Sequence, residues 1–155
     1  MGQLVRWFFE QYGQIIESVG IIASLCFAAL AYRADMRTRK ADILIRITEG
    51  HRQIWTFYEQ TPELSRIFNS SVDVKATPPT AKELRFVQFV INHIVITFKS
   101  HKMGIYRQPE ALEADIRDFF AWPISKETWK RVRRYQDADV IEFFEAAMNP
   151  SKKDF

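Results

Sequence analysis

A chain of 155 residues with 47% hydrophobic, 14% aromatic and 26% charged side chains has room for one packed domain, which excludes a two-domain enzyme. Only 5 Gly and 6 Pro against 13 Phe and 4 Trp exclude a disordered tail. A single Cys excludes an internal disulfide framework and a multi-thiolate zinc site, and a net charge of +3 is too even to indicate nucleic acid from bulk charge.

Residues 1–18 open with Leu4, Val5, Trp7, Phe8 and Phe9, which read as an interfacial segment that lies along lipid or against a partner chain. Residues 19–32, VGIIASLCFAALAY, carry no charge over 14 positions, and Ile15 and Ile16 extend the stretch past Glu17 and Ser18 to about 18, long enough to span if Glu17 lies at the interface. Three readings compete. A signal peptide is suggested by Ala29-Leu30-Ala31, but Glu10 and Glu17 suit an n-region badly. A soluble core helix would need a polar outer face, and only Ser24 and Tyr32 supply one. A single transmembrane helix is helped by Trp7, Tyr12 and Tyr32 near its two ends, where amphipathic rings favour the interface.

Orientation follows from the flanks. Arg33, Arg37, Arg39 and Lys40 against Asp35 place the C-terminal part in the cytoplasm by the positive-inside rule, so the chain reads as a single-pass membrane protein in contact with membrane lipid. Gly20, Ser24 and Ala28 recur every fourth residue on one stripe, the small-residue spacing that lets helix backbones meet in lipid, so a homo-oligomer is expected.

Residues 33–60 continue as a long juxtamembrane helix. Ile43, Leu44, Ile47, His51, Ile54, Trp55 and Tyr58 repeat at three and four residue steps, opposite Arg46, Glu49, Arg52 and Glu59. Gly50 is tolerated there at about 1 kcal/mol. From residue 19 to 59 such a helix would be a rod of roughly 60 Å.

Residues 61–155 read as a cytoplasmic helical bundle. Thr61-Pro62 starts a short helix ending near Asn69, and NSSVD with Pro78-Pro79 makes the loop that follows. Thr80 with Glu83 forms a capping box, so the β-branched run from Arg85 to Phe98 is a helix, buried at the bundle centre. Gly104 ends it. Glu110 to Phe120 forms another amphipathic helix, Trp122-Pro123 breaks it, and Ser125 caps the next, with Trp129, Val132 and Arg133 inward. Asp137 or Asp139 starts a last helix through Ile141, Phe143, Phe144 and Met148. The fold class is all-α: an N-terminal single transmembrane helix continuing into a cytoplasmic helical bundle.

Arg46 and His51 match R-x4-H, within the R-x4-6-H pattern of the HEPN ribonucleases. His can act as general base on a ribose 2'-hydroxyl while Arg stabilises the phosphorane charge, with no metal needed. The competing reading is a packed His with one ring nitrogen satisfied, because His51 falls in the apolar stripe and Arg46 lies about 140° round the helix. His93 and His101 have no carboxylate or thiol spaced with them, so neither a metal nor another cofactor is expected. Cys26 behaves as a small apolar side chain. Lys130, Arg131, Arg133 and Arg134, beside Trp129 and Tyr135, form a basic patch that would touch RNA phosphates or anionic lipid, or simply face solvent.

The N-terminal membrane helix, the basic segment after it, HRQIW, TPEL, FVQFVINH with a Gly beyond it, and AWPISKETW together resemble a broad group of small bacterial membrane-anchored helical proteins. The architecture is similar to the membrane accessory protein of type VI-B CRISPR systems, which is HEPN-like. The resemblance implies an oligomeric membrane assembly supporting RNA-guided antiviral interference, with Arg46 and His51 as the HEPN pair. Three functions are therefore expected in competition: an oligomeric, pore-forming effector or accessory protein in antiviral defence, a HEPN-like ribonuclease working across a dimer, and a scaffold recruiting a cytoplasmic protein or RNA partner.

Overall fold

The computed structural model describes residues 2–149, with the side chains at 3–11 and 14 excepted. The interfacial role expected for Leu4, Val5, Trp7, Phe8 and Phe9, and the belt role of Trp7, lie outside those described side chains. Among the described residues every regular element is helical: α1 (Gly2–Glu59), α2 (Ala81–Lys102), α3 (Pro109–Ala121), α4 (Pro123–Val132) and α5 (Ala138–Met148), with 3-10 helices at Pro62–Phe68 and Arg133–Tyr135. Two compact units divide the chain inside α1, Met1–Asp42 and Ile43–Phe155.

In the first unit, every residue from 15 to 32 is exposed. Leu25 and Phe27 are 65% and 75% accessible, and α1 is long and apolar enough to cross a membrane. Within the first unit nothing buries this stretch, whereas a soluble core helix would be buried. Ser24 donates its hydroxyl to the Gly20 carbonyl at 2.8 Å, so the only polar side chain of the small-residue stripe is satisfied on its own helix. That is the condition for an isolated helix to sit in hydrocarbon, where an unpaired hydroxyl is costly.

The second unit is a helical bundle around a core of Leu64, Ile67, Phe86, Val87, Ile91, Ile116, Ile124, Val140 and Phe144, all essentially inaccessible. Phe144 of α5 stacks on Trp129 of α4 at 4.8 Å and meets Phe120 of α3 at 5.8 Å, which ties three helices together through aromatic faces. The capping box opens α2: Thr80 accepts from the Glu83 amide at 3.2 Å while the Glu83 carboxylate accepts from the Thr80 amide at 2.7 Å. At the far end Gly104 takes φ +67°, the left-handed conformation that stops the helix without a Cβ clash. Its amide donates to the His101 carbonyl at 2.8 Å, and His101 Nδ1 lies 3.0 Å from the Tyr106 carbonyl, locking the turn.

The short helix expected after Thr61 is present as a 3-10 helix, Pro62–Phe68, with Leu64 and Ile67 one turn apart both buried, although Thr61 makes no side-chain cap. Three local expectations need correction. Ser125 does not cap α4. Trp122 holds the cap position with Pro123 at the first turn, while Ser125 is fully buried on the inner face and its Oγ, like Trp129 Nε1, has no hydrogen-bond partner. The central helix α2 is not buried all round either: Phe86, Val87, Ile91, Ile94 and Phe98 face the core, whereas Phe89 and Ile96 are exposed on the other side. Likewise Arg133 points outward, into an ion pair with Glu145 at 2.8 Å.

Candidate functional site: an aromatic cavity with paired histidines

Three helices of the bundle each present a stripe at helical spacing toward one cavity, i, i+4, i+7, i+8 on α1 and α2 and i, i+3, i+6, i+7 on α3. From α1 come Ile47, His51, Ile54 and Trp55; from α2, Phe86, Val90, His93 and Ile94; from α3, Leu112, Asp115, Asp118 and Phe119. Phe68 from the 3-10 helix, Tyr106 from the loop before α3 and Trp122 beyond its end complete the wall around about 450 Å³. That volume falls in the range of small-molecule sites.

The polar groups converge. His51 and His93 rings stand 5.7 Å apart, and Trp55 Nε1 donates to His51 Nε2 at 2.9 Å. With that nitrogen accepting, a neutral His51 carries its proton on Nδ1, a tautomer assigned from the hydrogen bond. Gly50 explains how the two rings come so near. A Cβ at that position would stand 3.2 Å from His93 Nδ1 and 3.4 Å from Cε1, so the glycine near the C-terminal end of α1 makes room for the His93 ring.

Burial, and second the neighbouring His51, hold the His93 pKa below its ordinary value. The Asp115 carboxyl is pushed up, first by burial and also by Asp118, against an opposing pull from His51. Asp115 as a whole residue is exposed, so it belongs to the rim of the cavity and its desolvation is partial. Burial first, and then Asp115, also raise the Tyr106 phenol.

The His93 shift carries a testable consequence. Below the ordinary value of 6.5 the unfolded imidazole takes up a proton before the folded one does, so proton uptake favours unfolding and stability falls as pH drops through that value. Asp115 acts in the opposite sense and closer to the carboxylate range, because its folded form binds the proton more readily. Urea midpoints taken between about pH 7.5 and 5.5 are expected to decline, and His93→Leu is expected to flatten that decline. An unchanged slope in the variant would assign it elsewhere.

The residues singled out by sequence are only partly brought together. His51 meets His93, not Arg46: Arg46 is exposed on the same helix about 140° away, so one chain does not juxtapose the R-x4-H pair. The His51 lone pair that a general base would use is engaged by the Trp55 indole. His101 is occupied in the α2 terminus, apart from His93. In the basic patch, Lys130 and Arg131 both pair with Glu127, at 3.3 and 3.4 Å, Arg133 pairs with Glu145, and Arg134 lies over the Tyr135 ring at 4.8 Å. Two carboxylates, Glu127 and Glu145, therefore offset half of that charge at the surface. Among the described residues no group of three or more His, Cys, Asp or Glu stands at metal-ligating separation, and Cys26 is exposed in the apolar part of α1.

Sequence reasoning missed His93, Trp55 and Asp115 as members of one site. The available signal was Asp115 three residues after Leu112 and four before Phe119, a carboxylate on the apolar face of α3. No protein-family model, no curated protein and no solved structure matches the chain.

Proposed function

We propose that the chain is a single-pass, non-enzymatic membrane protein whose helix α1 anchors and self-assembles in the bacterial inner membrane, with the bundle from Ile43 onward on the cytoplasmic side. One observation carries the reading: residues 15–32 are exposed on every face and carry a single charge, Glu17, near one end, where the interface can hold it, and hydrocarbon is the solvent in which such a helix is stable. Orientation rests on Arg33, Arg37, Arg39 and Lys40 just beyond the span. Assembly rests on Gly20, Ser24 and Ala28. A Cβ at Gly20 would meet nothing within 4 Å and the Ser24 hydroxyl is already bonded, which leaves a smooth stripe against which a second helix can close.

The role assigned to this assembly is that of an effector or accessory protein, with pore formation as its output. The setting, bacterial antiviral defence of the CRISPR type, comes from the resemblance in architecture alone. Light scattering of the detergent-extracted protein beside a chain beginning at Ala41 tests the anchor as organiser. A discrete oligomer that becomes a monomer on truncation is expected. A dimer that survives truncation would put the contact in the bundle and favour the alternative, a HEPN-like ribonuclease joining Arg46 of one protomer to His51 of another. A full-length monomer that leaves membrane potential untouched on overexpression would end the assembly reading and leave the scaffold.

A further inference from the structure

Independently of the membrane reading, we propose that the cavity between α1, α2 and α3 binds a free organic ammonium compound, with its apolar or aromatic body against the rings and its cationic head at Asp115 and Asp118. The aromatic wall is built from the partly buried Phe68, Phe119 and Trp122 and from the more exposed Trp55. Trp55 and Phe68 are nearly parallel at 6.1 Å and 21°, whereas Phe119 and Trp122 meet Phe68 at 61° and 82°. Rings in several orientations around one space offer both faces and edges, the arrangement that accommodates a compact apolar body and attracts a cation to a π-face.

The charge of the lining selects the ligand. Asp115 and Asp118 contribute carboxylates, and no Lys or Arg lines the cavity. His51 accepts the Trp55 indole N–H at Nε2, and burial holds the His93 pKa below its ordinary value. The lining is thus negative at its rim and apolar within, complementary to an amine with an apolar body. A phosphate-bearing ligand, such as an intact phospholipid headgroup, would bring an anion beside two carboxylates with no guanidinium or ammonium to receive it.

Isothermal titration of the full-length protein in a maltoside detergent tests this with three compounds that share one ring and differ in charge. These are 2-phenylethylammonium, 2-phenylethanol and phenylacetate. The cation is expected to bind about tenfold or more tighter than the alcohol, and phenylacetate weakest. Asp115→Asn with Asp118→Asn should bring the cation down to the affinity of the alcohol while leaving the alcohol unchanged, which a folding defect would not do. Trp55→Leu should weaken both. O-phosphoethanolamine, a headgroup's ammonium joined to its phosphate, is expected not to displace the cation, and its success would overturn the choice of a free amine. Equal binding of alcohol and cation, no saturable binding of the cation, or a cation preference that survives the double asparagine variant would each overturn the proposal.

Discussion

Replacing Glu83 by alanine is expected to lower the unfolding free energy of the bundle by about 3 kcal/mol, a drop in Tm on the order of 10 °C for a chain of this size. The Glu83 side chain is 3% accessible, and its two oxygens accept from Arg66 Nε at 2.8 Å, Arg66 Nη2 at 3.0 Å and the Thr80 amide at 2.7 Å. Arg66 Nη2 also donates to the Pro78 carbonyl at 3.1 Å, so one carboxylate ties the 3-10 helix, the loop after it and the start of α2 into a single clip. Loss of the carboxylate leaves the Thr80 amide unsatisfied and frees the segment that carries Phe68, a wall of the aromatic cavity. By contrast, Glu63→Gln breaks an exposed pair with Lys82 at 3.3 Å, and no resolvable change in Tm is expected.

The pH dependence gives the same residue a second signature. Burial opposes ionisation of Glu83, but the bonds from Arg66 and Thr80 outweigh it and the folded pKa lies below the ordinary 4.5. Its stabilisation is therefore complete above that value and lost as pH falls through the folded pKa. Thermal unfolding of the detergent-solubilised protein should show a weaker acid dependence in Glu83→Ala than in the parent. An equal dependence, or a Tm within about 2 °C of the parent, would contradict the clip.

Leu25→Arg combined with Phe27→Arg is expected to remove the chain from the membrane. An arginine at the centre of a spanning helix costs about 2.5 to 3.5 kcal/mol, so two cost on the order of 6 kcal/mol before the lost apolar contribution is counted. The two positions lie about 200° apart on the helix, so no single rotation hides both charges. Carbonate extraction of membranes should leave the parent in the pellet and move the variant to the supernatant or to degradation. The apolar replacement Leu25→Ile with Phe27→Leu should stay in the pellet. A charged variant that remains with the pellet would show that residues 15–32 are not the anchor.

The helix boundaries were legible wherever a residue's own backbone chemistry dictates them. Thr80 and Glu83 announce the start of α2, Gly104 its end, and Pro123 the break between α3 and α4, because caps, φ restrictions and a missing amide act over three or four residues. The same locality misled at Ser125. A serine two residues after Pro123 reads as a cap, yet the helix had already begun at the proline, and the hydroxyl was carried onto the buried face. In the run after Arg85, composition indicated an apolar helix but not which face meets the core. Phe89 and Phe86 are chemically alike, and only the placement of α1, α3 and α4 around α2 exposes one and buries the other.

The candidate site divides in the same way. The sequence by itself determined that the chain is all-helical and carries an apolar N-terminal stretch, charged only at Glu17 between residues 15 and 32, that is a candidate span, since periodicity, caps and hydropathy are properties of neighbouring residues. It also set His51 on the apolar stripe of α1. Only the tertiary structure decided that His51 meets His93 from 42 residues further along the chain, that Gly50 opens the space between them, and that Asp115 closes the rim of an aromatic cavity. The physical reason is that a cavity is made by the packing of three helices at one crossing, a relation between distant residues that no local pattern encodes.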